Sequence, residues 1–482
     1  MKQYHPSASW PARPARLLAA TLCGLLAGAC SVGPDYHRPS EPMPAGFKEA
    51  EGWTPAQPAD AIDRGAWWSV YKDPLLDDLE KQVDVSNQTL KSAEAAFRQA
   101  RAVVEEARAA YFPTVAVSGS GQRSKAASGV GGGATNAYAL TLGATWEPDI
   151  WGEVRRTVES DVASAQASAG AVASARLSAQ ATLATDYLEL RAEDQLTRLL
   201  QDAVKAYERS LQITKNQYVV GVAAETDVLA AQTLLDGTQV QLINVGVERT
   251  QLEHAIAVLV GKAPADFSIA PAPLATEVPV VPTDLPSTLL QRRPDIASAE
   301  RQMAAANAQI GVAVAAYYPN VALSGSIGFA DMALNTLLRA SNLVWSYAGS
   351  VSETVFDGGL RGAEVDAARA GYDGTVANYR QTVLTGLQQV EDDLAALRIL
   401  EQQAGLADKT VAEAKQTAQL TLNQYQAGTV AYSSVITAQV AAITAEQTAL
   451  SIQESRLTSS VSLIEALGGG WDETQLPDAK HL

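Results

Sequence analysis

The sequence predicts a mainly α-helical chain that also carries membrane β-barrel strands, built as a tandem duplication. Three observations predict it. The stretch AYFPTVAVSGSG beginning at Ala110 returns as AYYPNVALSGSI beginning at Ala316, 206 residues further on. Two long reaches, residues 149–263 and 320–476, contain no proline, and apolar positions in them recur in steps of three and four. Four segments of roughly ten residues alternate apolar with small polar side chains and are essentially uncharged, the pattern of a strand with one face to lipid and one to a polar lumen.

The duplication sets the boundaries. The spacing of 206 holds at Gly152/Gly358 and Arg155/Arg361, and drifts by one residue where NQYVVG (216–221) matches NQYQAG (423–428). One unit was copied whole: helix, strand, loop, strand, very long helix, tight break, second long helix. Residues 1–29 read as a leader, 30–74 as an anchored N-terminal segment and 75–263 as the first repeat, with its hairpin at 113–148. A linker at 264–290 leads to the second repeat, 291–468, with its hairpin at 319–355, and a tail at 469–482. Prolines crowd into 34–74 and 264–294, as irregular connections require.

The leader is an address. Lys2, Arg13 and Arg16 precede an apolar run, 17–29, too short to span a bilayer core of about 30 Å as a helix. It ends at LLAGAC. Two outcomes fit: lipidation of Cys30, or plain cleavage after Ala29 that leaves a thiol. A free exposed thiol is a liability in an oxidising compartment, which favours a covalent lipid on Cys30. Cys23 leaves with the leader, so no internal disulfide is expected. The chain is 47% hydrophobic but only 6% aromatic, so small residues pack its interior, and its net charge of −17 makes nucleic acid a poor partner.

The strands follow. In 136–146, Tyr138, Leu140, Leu142, Ala144 and Trp146 share one face, with Ala139, Thr141, Gly143 and Thr145 on the other. Segment 321–329 repeats the scheme. Trp345, Tyr347 and Val351 oppose Ser346, Ala348, Ser350 and Ser352, while Val115 and Val117 open another strand after Pro113. A soluble sandwich could alternate in the same way.

The long helices come next. Leu196, Leu200, Ala203, Tyr207, Leu211, Thr214 and Tyr218 mark one stripe of a helix over 153–218, about 100 Å long at 1.5 Å per residue. Its counterpart covers 361–425. Rods of this length belong in a bundle, and abundant alanine lets them approach closely. A poreless coiled coil would use such helices too, but has no need of the strands.

Strand number then demands an assembly. Lipid cannot satisfy an open sheet edge, and four strands cannot close. Two copies give eight strands, whose side chains fill the interior, whereas three give twelve and a water-filled bore. A homotrimer with a 12-stranded barrel and a 12-helix tunnel is the expectation.

Together, PDYHRP (34–39) after Cys30, the strand starts at 111–113 and 317–319, RRPDI (292–296) and FDGG (356–359) resemble the outer-membrane efflux proteins of the TolC/OprM type, in the NodT-like lipoprotein branch. The resemblance covers nearly the whole chain. It implies a lipid-anchored duct in the outer membrane that extends into the periplasm, docked to a periplasmic adaptor and an inner-membrane pump of RND type. It implies export of drugs or other small toxic compounds and a part in multidrug resistance. The exit duct of a type I secretion system and a poreless trimeric lipoprotein scaffold are the alternatives.

Function is then expected at the breaks between paired helices, farthest from the strands. Gly221 and Val222 in the first repeat, and Gly428 and Thr429 in the second, are the expected adaptor contacts. Both glycines also suit left-handed helix ends, and Thr226 or Asp227 could cap the following helix. Relatives often carry Asp just past the second break, but this chain has Ser434 and Thr437, which leaves Glu225, Asp227 and Tyr432 as gate candidates. The acidic run Glu391-Asp392-Asp393 is expected to be a solvated helix face. His5, His37, His254 and His481 lack metal-ligand spacing, and no nucleophile or phosphate loop is recognisable, so neither enzyme, metal site nor cofactor is expected.

Overall fold

The computed structural model describes residues 31–39, 44, 46–49, 66–125, 133–279 and 289–482. The leader, Cys30, the middle of the Gly- and Ser-rich loop (126–132) and residues 280–288 of the linker lie outside them.

Asp73 starts α1 (Pro74–Ser86): its carboxylate accepts from the N–H of Leu75 and Leu76, and Pro74 presets the first helical φ. Asn87 then caps α2 (Gln88–Ala109) through Leu90 N–H. Strands β1 (Thr114–Ser124) and β2 (Thr135–Trp146) form the first hairpin. The first repeat closes with α3 (Glu153–Val219) and α4 (Glu225–Leu259). The second repeat gives α5 (Pro294–Ala315), β3 (Asn320–Asp331), β4 (Leu343–Ser352), α6 (Leu360–Gln426) and α7 (Tyr432–Ala466). Matched helices have equal lengths: 22 residues for α2 and α5, 67 for α3 and α6, 35 for α4 and α7.

One pairing of the repeats needs correction. Matching strings align Gly152 with Gly358, but α3 follows Gly152 at φ +86° and α6 follows Gly359 at φ +94°. The one-residue drift therefore lies in FDGG, where Gly358 is left-handed as well (φ +67°), and not along the rods. Both starts use an upstream aspartate. Asp149 accepts from Val154 and Arg155 N–H, and Asp357 from Gly359 N–H and the Arg361 guanidinium.

Each 67-residue helix is flanked by two shorter helices stacked end to end. At the first splice the Asn87 side-chain amide donates to Leu259 O at 2.9 Å, joining the end of α4 to the start of α2. At the second, Arg293 donates to Ala466 O at 3.0 Å, joining α7 to α5. Arg293 is buried, held by both oxygens of Asp295 and by Gln389, so the RRPDI segment is a helix splice. The terminal carbonyls of α4 and α7 are thus satisfied by the next helix in the column.

Among the described residues one sheet, of order β1-β2-β3-β4, crowns the rods. Its register aligns Val117 with Leu142, Leu142 with Ile327 and Ile327 with Trp345, so the large apolar residues share one face, Val344 excepted. Ser118, Thr141, Ser326 and Ser346 occupy the other, where Ser326 and Ser346 share a 2.8 Å hydrogen bond. Gly328 is required there, since a Cβ would stand 2.2 Å from Leu140 O. Among the described residues β1 and β4 each lack a partner on their outer edge.

The main core lies at mid-height, where Trp67, Leu76, Tyr187, Ile296, Tyr379, Leu394 and Leu457 bring α1, α3, α5, α6 and α7 together. Here the acidic run departs from expectation. Glu391 accepts the backbone N–H of Lys48 (2.7 Å) and Glu49 (2.9 Å), because the N-terminal segment runs along α6. Burial, with Asp392 and Glu465 adding like charge, pushes the Asp393 carboxyl up to about 7. Only Asp392 of the three is solvent-exposed.

Candidate functional site

Two regions carry the sequence-predicted candidates: the sheet, and the helix tips farthest from it. At the first tip, α3 ends in a left-handed Gly221 (φ +80°), with Gly221 N–H on Tyr218 O and Val222 N–H on Gln217 O. The second repeats this at Gly428 (φ +74°), with Gly428 N–H on Tyr425 O and Thr429 N–H on Gln424 O. These paired bonds form a Schellman motif, which accounts for both glycines. The turns differ in what they expose. Val219, Val220 and Val222 give the first an apolar surface, whereas Gly428 and Thr429 are exposed in a polar one.

The gate candidates separate. Tyr432 is 1% exposed. Its ring packs 5.1 Å from that of Tyr425, its hydroxyl shares a 3.1 Å hydrogen bond with Ser210 of α3, and burial raises its pKa. It belongs to a tip core with Tyr207, Leu211, Leu235 and Val435, away from any surface of the protomer. Asp227 accepts Ala224 N–H at 3.4 Å, completing the start of α4 from the third helical position; Thr226, weighed as a cap, is not the capping residue. Glu225 is exposed on the first turn of α4, and Ser434 and Thr437 are exposed on α7. Tyr207 O–H also reaches Gln439 O (3.3 Å), so α3 of the first repeat holds α7 of the second at two levels.

Beside the tip core, a groove of about 610 Å³ separates α3 from α6 and α7. Ala203, Ile213 and Leu422 line it, with Arg198, Lys415 and Glu446 among the charged groups. Farther up, Glu189 and Glu193 of α3 meet Glu248 of α4 and Glu454 of α7, and burial plus these like charges pushes Glu193 up to about 7. This convergence joins residues over 200 positions apart, so only the i, i+4 spacing of Glu189 and Glu193 was visible in the chain. Among the described residues no group of three or more His, Cys, Asp and Glu could hold a metal ion, and no helix is long and apolar enough to cross a membrane.

Under the sheet, the segment after Cys30 is tightly held. Arg156, 3% exposed, donates to Val32 O and Gly33 O and pairs with Asp35 and Glu159 at 2.8 Å each. Val32 N–H bonds Trp151 O, Tyr36 O–H donates to Glu300 at 2.6 Å, and Asn307 holds Pro34 O. Gly33 (φ +90°) is packed so closely on Gly311 that a Cβ would stand 2.4 Å from its Cα. Ser31 abuts Gly152, and the neighbouring Trp151 indole donates to Pro319 O at the foot of β3.

The family described as outer membrane efflux protein matches residues 79–262 and 285–469. A relative from Pseudomonas putida, the probable efflux pump outer membrane protein TtgC, is 32% identical over 465 residues, which is 95% of this chain and 96% of that one. Among solved structures, the outer-membrane channel OprN matches with a TM-score of 0.87 at 29% identity, covering 92% of this chain and 100% of that chain. The open state of the MtrE outer membrane channel of Neisseria gonorrhoeae matches at 0.82 and 28% identity, covering 92% and 99%. The two matched intervals fall on the two structural repeats, and the chain belongs to the outer membrane efflux protein family.

Proposed function

We propose that three copies of this chain form the passive outer-membrane exit duct of a tripartite efflux system, through which drugs or other small toxic compounds leave the periplasm. The sheet carries this conclusion. It has four face-segregated strands, charged only at the loop ends of β1 and β3, with two edges unpaired among the described residues, and lipid offers an unpaired edge no hydrogen-bond partner. Pairing β4 of one copy with β1 of the next closes a ring, and twelve strands leave an aqueous bore. Each copy adds two long rods and two spliced columns, giving a tunnel twelve helices around.

Exposed apolar stripes support the same assembly. Leu384, Ile399, Leu406 and Leu420 recur at multiples close to 7 along α6, and Leu229, Val240, Ile243, Val247 and Val258 line α4. Stripes of this length on a helix are covered by another helix. The tips and the groove beside them, apolar within and charged at the rim, suit a helical partner, which we assign to a periplasmic adaptor coupled to an RND-type pump. The pump supplies the energy, and the duct performs no catalysis. A lipid on Cys30 fits the strap at 31–39, which ends against Gly152 under the strands, where an acyl chain enters the inner leaflet.

Conductance in planar bilayers tests the duct. Discrete, cation-preferring events from a trimer are expected, and a purified protein that stays monomeric or passes no current sinks the proposal. Small-toxicant susceptibility of a deletion strain distinguishes efflux from type I protein secretion.

A further inference from the structure

The loop between β3 and β4 turns toward the membrane side of the sheet. Asp331, the last residue of β3, pairs with Tyr138 and shares its face with Ile327 and Phe329, so its side chain leaves on the apolar face. There the loop closes over it. Asp331 accepts Met332 N–H at 2.6 Å, the Thr336 hydroxyl, and the Asn342 amide at 2.8 Å, while the same amide also donates to Thr336 O. A carboxylate with its lone pairs so occupied is tolerated beside lipid where a bare one is not. The loop it holds exposes Met332 (70%), Leu334 (67%) and Leu338 (66%) beside Arg339.

The outward apolar face of β2 runs from Trp146 to Tyr138. That is about 27 Å along the strand at about 3.4 Å per residue, or roughly 20 Å of height at a tilt of about 40°. A barrel's apolar band is about 25 Å tall, so the strands alone fall a few ångströms short. We propose that residues 332–342 are a membrane-interface anchor whose Met332, Leu334 and Leu338 enter the outer leaflet beside the barrel, extending its apolar band, with Arg339 among the lipid phosphates. The occupant is lipid because the loop continues the lipid-facing side of the sheet, through Leu343, Trp345 and Tyr347 on the adjoining strand. This rests on the sheet spanning the membrane.

The test places an environment-sensitive fluorophore on Leu334→Cys and, separately, on Leu142→Cys at the outward face of β2. The full-length protein is reconstituted in vesicles of phosphatidylethanolamine and phosphatidylglycerol doped with phosphatidylcholine brominated just below the headgroup. The parent chain, carrying only its native cysteines, sets the background. Blue-shifted emission and loss of fluorescence at both positions is the expected result. Quenching at Leu142→Cys with water-like, unquenched emission at Leu334→Cys overturns the anchor and leaves the spanning sheet intact. Absence of quenching at both removes the spanning sheet and the anchor with it. A Leu334→Asp channel should conduct as the parent does; a rise in conductance means the loop covers the mouth, which also overturns the anchor.

Discussion

Tyr432, the first residue of α7, shares a 3.1 Å hydrogen bond with Ser210 in the lower part of α3. The tip of the second repeat is thereby closed by the long rod of the first. A gate built on this contact works through buried packing inside each protomer.

Replacing Tyr432 should therefore loosen the tip in two steps. Tyr432→Phe removes one hydrogen bond, worth about 1 kcal/mol, and should raise protease cleavage within 427–431 by about fivefold. Tyr432→Ala leaves a cavity costing about 3–5 kcal/mol, with cleavage up by a hundredfold or more, and should enlarge the conductance events. Equal cleavage of all three proteins would show that this contact does not hold the tip.

The strap under the barrel depends on Arg156. Loss of its bonds to Val32 O, Gly33 O, Asp35 and Glu159 in Arg156→Met should cost about 2–3 kcal/mol, discounted because Asp35 is largely and Glu159 partly exposed. Arg156→Lys keeps the charge but not the planar fork, and should recover only part of it. The readout is the rate of proteolysis inside 31–39, with unchanged rates in Arg156→Met counting against the assignment.

Face assignment in the sheet is tested by neighbours. Trp345→Lys puts a charge on the lipid side at a cost of about 2–4 kcal/mol near the midplane, and should cut the yield of heat-modifiable trimer. Ser346→Lys, on the other face, should assemble normally. The reverse order would invert the barrel.

Glu80 of α1 is fully buried, with neither carboxyl oxygen partnered among the described residues, and burial, reinforced by Asp84 and Asp77, pushes it up to about 9. The folded state thus binds a proton the unfolded state releases near 4.5, so stability falls as pH rises from about 4.5 to about 9. At pH 7 the cost is on the order of 3 kcal/mol. Glu80→Gln should remove that slope and raise stability most at alkaline pH. Parallel pH profiles in thermal denaturation would refute it.

Much of this was legible in the chain because periodicity and repetition are local signals. The helix expected over 153–218 is α3, Glu153–Val219, and the strand expected from Asn136 begins at Thr135. What stayed hidden depends on distant partners. The splice through Arg293 joins residues 173 apart, and nothing in RRPDI names Ala466 O as its acceptor. Tyr432 beside a break looks like a surface aromatic until α3 is placed against it. The acidic run at Glu391 looks solvated until the N-terminal segment lies across it.

Equal helix lengths in the two repeats have a consequence for whatever meets the helix tips. In the proposed trimer, six hairpin ends of matching reach stand in a crown, three tipped with valine around Gly221 and three with glycine and threonine at Gly428 and Thr429. The crown is hexagonal in outline and triangular in chemistry. A visitor guided by contour finds six seats, whereas one that seeks oily surface finds three.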